Sequence, residues 1–258
     1  MDSSRPLLRG EIDLAAEAER LAQLAAAEGI TMRLLGALAF WMRCPRHRYL
    51  HAALQRAYTD LDFIAPFTQK TAVEKFFAGL GFIPERSLQA IPGLKRSIFH
   101  SISPPYHVDL FYDELDMCHR LDLRGRLQID PLTIPVTDLL LEKLQIVQIN
   151  HKDLVDLVML LLEYPLVEND ETAINLPRIV QICQADWGWT RTLTINLGKV
   201  SAWAKQENRL SPDQSRQVFE QAGKLLARIA AAPKSLSWRL RALVGERVRW
   251  YREVEQLY

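Results

Sequence analysis

Apolar and polar residues alternate along Tyr58-Thr59-Asp60-Leu61-Asp62-Phe63, and this period of two predicts a strand with Leu61 and Phe63 on one face and Asp60 and Asp62 on the other. The same alternation runs through His107–Asp113, with Val108, Leu110 and Tyr112 on one side and His107, Asp109, Phe111 and Asp113 on the other. Shorter strands are expected at 31–35, 82–84 and 94–100, the last two joined through a turn at Pro92-Gly93, with an edge strand at 120–129. Helical periodicity takes over elsewhere. Residues 11–28 carry the stripe Leu14, Ala18, Leu21, Leu24, Ala25, with Gly29 as the stop. A short helix follows Gly36-Ala37 through about Met42, and others are expected over 68–80, 135–149 and 152–164. Beyond Pro165 and the acidic stretch Glu168-Asn169-Asp170-Glu171, the chain reads as helix at 175–185, 190–206, 211–230 and 235–251. Ser211-Pro212-Asp213-Gln214 is a strong helix start. The expected fold class is α+β. A mixed-sheet domain with flanking helices spans residues 1–166, and a helical bundle spans 167–258.

Two carboxylates projecting from one face of a rigid strand repel each other unless a cation lies between them. The pair is either an exposed edge with solvated acids or a site for a hard cation such as Mg²⁺, which takes one or two protein carboxylates and completes its shell with water and phosphate. A neighbouring Asp109 strand would add a third acid. Upstream, Met32–Leu35 runs into the small-residue turn Gly36-Ala37.

This order of motifs resembles the nucleotidyltransferase fold of the DNA polymerase β-like superfamily: an apolar strand, a small-residue turn, Asp-x-Asp on a strand and an acid on a later strand. Within it, the chain is similar to bacterial stand-alone nucleotidyltransferases, including the abortive-infection and toxin–antitoxin type, over roughly residues 12–163. The resemblance implies an enzyme that moves a nucleoside monophosphate from a nucleoside triphosphate, ATP included, to an acceptor hydroxyl. It implies Mg²⁺ or Mn²⁺ on Asp60, Asp62 and Asp109, and phosphate held at Gly36 and Ala37. The acceptor stays open among tRNA, protein and a small molecule, and an antitoxin would be the partner of a toxin-type member. The chain has Ala37 where the pattern has Gly or Ser, and 22 residues, 38 through 59, separate it from Asp60. A binding module on the same fold, without turnover, is the alternative.

Other residues add to the picture. Lys143 falls in the middle of the apolar face Val136, Leu139, Leu140, Leu144, Ile146, Val147, so it must reach solvent, lose its proton or meet an anion. That anion is a structural acid or a substrate phosphate. The resemblance implies the second, because toxin-type members carry an active-site lysine on a helix after the third acid. Lys152-Asp153-Leu154-Val155-Asp156 resembles a motif that follows it in those relatives, which makes Asp153 the expected partner of Lys143. Arg43, with Arg46 and Arg48 in a Pro45-containing loop and Arg56 shortly after, is either solvated or a triphosphate contact.

Composition excludes more than it selects. The chain has 258 residues, 48% hydrophobic and 24% charged, with a net charge of +1, so no global field draws it to nucleic acid. The exception is local: Lys234, Arg239, Arg241, Arg247, Arg249 and Arg252 face only Glu246, a net +5 interleaved with Trp238, Trp250 and Tyr251. Such a segment either anchors to the core through its tryptophans or tracks RNA. Cys44, Cys118 and Cys183 lack metal-site spacing and read as thiols of a reducing cytosol. Met1–Pro6 does not read as a signal peptide, and no apolar run is long enough to span a membrane.

Overall fold

The computed structural model describes residues 13–54, 58–89, 91, 93–169 and 173–253. The N-terminal stretch including residues 11–12, Arg56, Pro92 and the pair Asp170-Glu171 lie outside the described residues. The chain divides into two compact units. One comprises the residues up to Leu115 together with Asp122–Pro135, and the other comprises Asp116–Leu121 together with the chain from Val136 onward.

The first unit opens with α1 (Leu14–Ala27), whose N-cap Asp13 accepts from the Ala15 and Ala16 amides. Its stripe is buried at Leu14, Ala18, Leu21 and Ala25, while Leu24 is exposed at the rim of the apolar face. β1 (Arg33–Leu35), α2 (Gly36–Arg43), α3 (Tyr49–Ala53), β2 (Asp60–Ala65), α4 (Lys70–Gly79), β3 (Ile83–Pro84), α5 (Arg86–Gln89), β4 (Arg96–Ile102) and β5 (Pro105–Tyr112) follow. The strands form one five-stranded sheet in the order β1-β2-β5-β4-β3. β2 and β5 are parallel and the other pairings antiparallel, so the sheet is mixed, as its hairpin-like later connections required.

Register sorts the side chains. One face carries Leu61, Phe63 and Ala65 of β2, Val108, Leu110 and Tyr112 of β5, and Phe99 of β4, all buried. Phe77 of α4 stacks on Phe99 at a centroid distance of 4.4 Å. Each such side chain, taken out of water, contributes about 1.5–3 kcal/mol, and this fixes which way β2 and β5 turn their acids. A slip of one residue would turn Asp60, Asp62 and Asp109 onto the apolar face and take that core off it.

The expected edge strand at 120–129 is not part of this sheet. β6 (Glu114–Asp116) and β7 (Arg120–Asp122) lie outside it, and 123–129 contains no strand. Gly125, at φ +71°, sits in the turn that follows Asp122, where Arg124 folds back onto the Asp122 carboxylate.

The second unit is helical: α6 (Val136–Leu144), α7 (His151–Glu163), α8 (Leu176–Ala185), α9 (Trp187–Gln206), α10 (Pro212–Ala231) and α11 (Leu236–Val244), with two-residue strands β8 (Leu166–Val167) and β9 (Ile174–Asn175) between α7 and α8. The boundary expected at residue 166 moves to Val136, because α6 and α7 find their partners in later helices. Buried Asn196 of α9 donates to the carbonyls of Leu144 and Ile146 at the end of α6. Gln217 and Gln221 of α10 do the same for the end of α7 through Leu161, Leu162 and Tyr164. Carbonyls at buried helix ends need such donors, and sequence periodicity does not say which distant residue supplies them. α6 is shorter than expected, since the chain leaves the helix after Leu144. α11 ends at Gly245, whose φ of +60° is open to glycine. No helix among the described residues is long and apolar enough to cross a membrane.

Candidate functional site

The sheet face opposite the apolar one carries the chemistry. Asp60 and Asp62 are two apart on β2 and project the same way, with Leu61 and Phe63 buried behind them. β5 runs parallel beside β2, and its register puts His107 across from Asp60 and Asp109 across from Asp62. Asp109 is therefore a neighbour of Asp62: the alternation gave its face, and the pairing of β5 with β2 puts it there. The His107 Nε2 lies 3.6 Å from an oxygen of Asp60. On the far side of β5, β4 places Ile98 across from Asp109. One step along the same face is Arg96, which reaches back to grip Asp109 at two points: Nε to Oδ1 at 2.9 Å and Nη2 to Oδ2 at 2.5 Å. Asp109 is 6% exposed, so this fork meets both oxygens of a buried carboxylate. The hydrogen bond that Arg96 donates to Asp109 is the main cause that raises the Arg96 pKa. Burial opposes it, and the nearby charges of Asp109 and Asp62 add to it.

Arg96 was not singled out from the sequence. The signal was present in the alternation Arg96, Ile98, His100 of its strand. Its partner was not, because pairing of β4 with β5 is a long-range choice.

The small-residue turn closes the other side of Asp62. β1 pairs with β2 so that Leu35 is opposite Asp62, and the next residue, Gly36, starts α2 at φ +71°. A Cβ on Gly36 would overlap the Asp62 carboxylate, with Cγ at 2.9 Å. The turn thus needs glycine twice, for its left-handed backbone and for the contact. α2 has no side-chain cap at its N-terminus, where Gly36 and Ala37 present the first amides of the helix.

Arg43, at the other end of α2, is held by Asp130 and by Thr133 Oγ1 at 2.8 Å. Its charge is met inside the first unit, and the expectation that it contacts triphosphate is replaced by a structural role joining α2 to the 130–133 loop. Asp130 also accepts from the Leu132 and Thr133 amides, which fixes that loop as an acceptor for arginine.

Lys143 and Asp153 belong to the second unit. The ammonium of Lys143 lies 3.0 Å from Asp153, 3.5 Å from Asp156 and 3.9 Å from Glu142, all three buried. The anion that an apolar helix face demanded is this trio of carboxylates, with Asp153 the nearest, as expected. Asp153 also completes a capping box with Asn150 at the start of α7, so its carboxylate is fixed from both sides. The burial of Lys143 is accounted for without a substrate phosphate, and no phosphate contact is assigned to it or to Asp153.

Among the described residues no three His, Cys, Asp or Glu side chains converge as a closed metal cage. The Asp60–Asp62 pair fits a cation that keeps several outer ligands, as Mg²⁺ does. Asp109 gives each of its oxygens to one Arg96 donor, and each oxygen keeps a further lone pair toward Asp62.

No known protein family matches the chain, and no curated protein matches it. Among solved structures it is similar to the antibiotic-resistance factor ANT(2'')-Ia, a solution structure described as revealing substrate-regulated conformation dynamics. The identity is 10%, the TM-score is 0.31, and the match covers 91% of this chain and 96% of that one. A superposition this loose carries no argument about the site, which rests on the residues above.

Proposed function

We propose that this protein is a divalent-cation-dependent nucleotidyltransferase, which joins a nucleoside monophosphate from a triphosphate to an acceptor hydroxyl and releases pyrophosphate. One observation carries the reading. Asp60 and Asp62 share an outward strand face, Asp109 stands beside Asp62, and the glycine turn that opens α2 packs on the Asp62 carboxylate. Asp60 and Asp62 would hold Mg²⁺ or Mn²⁺. Such an ion, when bound, offsets charge on the phosphoryl group in transfer. The amide of Ala37, in the first turn of α2, would take a phosphate oxygen. Arg96 offers a forked guanidinium to the triphosphate, held in place by Asp109 and felt electrostatically by Asp62. The part of Asp109 is then to position Arg96. The acceptor remains open among tRNA, a protein hydroxyl and a small molecule, and a toxin-like role with an antitoxin partner follows only from the family resemblance.

A second reading is favoured by the same Arg96 fork: a module on this fold that binds nucleotide without turning it over. It draws on the engagement of Asp109 by Arg96 and on Ala37. Incubation with each α-labelled nucleoside triphosphate, Mg²⁺ and a cell extract separates the two. Transfer of label by the native protein and none by Asp62→Asn supports the enzyme. Binding of nucleotide that requires metal, with no transfer from any triphosphate, supports the module. No metal-dependent binding at all removes both.

A further inference from the structure

The second unit contains a cavity of about 470 Å³ whose lining does not use the carboxylate strand. It is built where the segment after α11 folds back over the start of α9. Gly188, in the first turn of α9, makes room for that segment, because a Cβ there would stand 2.6 Å from the Trp250 carbonyl oxygen. The Arg252 amide donates to the Cys118 carbonyl at 3.0 Å and fixes the far end. Trp187, Trp238, Trp250 and Tyr251 line the space and are half-buried. Two of the indoles have their N–H groups turned to threonines of α9. Trp238 donates to Thr190 and Trp250 to Thr192, both at 3.0 Å. Their polar edges are thus satisfied and their orientation is set, while the rings border the cavity.

The charged part of the lining is four arginines against one carboxylate. That carboxylate, Asp186, is occupied as the N-cap of α9, where it accepts from the Trp189 amide. Arg241 lies 4.7 Å over the Trp187 ring and donates to the Gly245 and Val248 carbonyls, which holds the returning segment in place. Arg249 and Arg252 are exposed and engage Glu253 and Asp116, themselves exposed. Exposed ion pairs contribute little in water, so an incoming phosphate can take over these guanidinium groups.

We propose that this cavity binds a nucleotide unit, with the base laid against the aromatic lining, where Trp187 and Trp250 meet edge to face at 6.1 Å, and the phosphate on Arg249 and Arg252. Fixed tryptophans stack on any base, and arginine forks take phosphate; together they make the usual sequence-tolerant grip on single-stranded nucleic acid. The volume lies in the range of small-ligand sites, roughly 300–1,000 Å³. The unit can come from a free nucleotide or from one position of an RNA strand.

The test is tryptophan-fluorescence titration with AMP and, separately, with a single-stranded oligoadenylate, both in EDTA so that a metal-dependent triphosphate site is silent. The native protein, Trp187→Leu, the double variant Arg249→Ala/Arg252→Ala and the double variant Asp60→Asn/Asp62→Asn are compared. The arginine pair is exposed, so that variant keeps its fold and its melting temperature. Saturable quenching is expected, weakened about tenfold or more in the tryptophan and arginine variants and unchanged in the aspartate variant. Binding of AMP points to a free nucleotide, and binding of the oligomer alone points to RNA. Three results overturn the assignment: no saturable binding of either ligand at millimolar concentration, equal binding by the arginine variant, or loss of binding in the aspartate variant.

Discussion

Gly36 and Asp62 are fitted to each other: the carboxylate of Asp62 occupies the space that any side chain on Gly36 would enter, and Gly36 holds a left-handed backbone at φ +71°. The turn into α2 and the second acid of β2 are therefore one feature. Asp62 can stand at the helix start only because residue 36 has no Cβ.

Gly36→Ala should consequently cost stability and disturb the acid together. A left-handed alanine costs about 1–2 kcal/mol by itself, and the overlap with Asp62 adds to that. Urea denaturation should show a loss of about 2 kcal/mol or more, and label transfer should fall with it. A variant as stable as the native protein would mean that the turn relaxes and that Asp62 is not gripped by it.

Arg96→Met should leave the Asp109 carboxylate buried with its two strongest donors gone. Breaking a fully buried pair costs about 3–5 kcal/mol, and the partial exposure of Arg96 brings the expected loss to about 2 kcal/mol. The double variant Arg96→Met/Asp109→Leu should recover most of it, since no carboxylate is then stranded. A double-mutant cycle by urea denaturation measures the coupling, and additive losses would show that the fork is not an energetic unit.

Lys143→Met should destabilise the second unit by about 3–5 kcal/mol, because Asp153, Asp156 and Glu142 keep their buried carboxylates and lose the ammonium among them. Urea denaturation at neutral pH measures the loss. A variant of native stability at neutral pH would place the balancing cation elsewhere.

His119 should make folding pH-dependent. Burial lowers its pKa to about 4; Asp186 opposes the shift and Arg252 adds to it. In the unfolded chain the value is about 6.5. The fold holds the imidazole neutral, with Nε2 on Thr192 at 2.8 Å. Its contribution is complete above pH about 6.5 and is lost as pH falls from there to about 4, an amount of roughly 3 kcal/mol. His119→Gln should flatten the stability profile in that window, and an unchanged slope would assign the pH dependence to carboxylates.

Much of the first unit was legible because its signals are local. The alternation in Tyr58–Phe63 and His107–Asp113 gave the faces of β2 and β5, and Leu61, Phe63, Val108 and Leu110 are buried where that alternation put them. Lys143 on an apolar helix face required an anion, and Asp153 is the nearest.

Three features were decided by tertiary structure. Arg96 takes Asp109 because β4 pairs with β5 in one register. Arg43 is taken up by Asp130, 87 residues along the chain. The domain boundary falls at Val136 because Asn196 and Gln221 supply the ends of α6 and α7. The sequence by itself determined which side chains share a face, since backbone geometry imposes periods of 2 and 3.6 on neighbouring residues. Which charge meets which was left to the fold, because a carboxylate accepts from any guanidinium and only packing brings a particular one within reach.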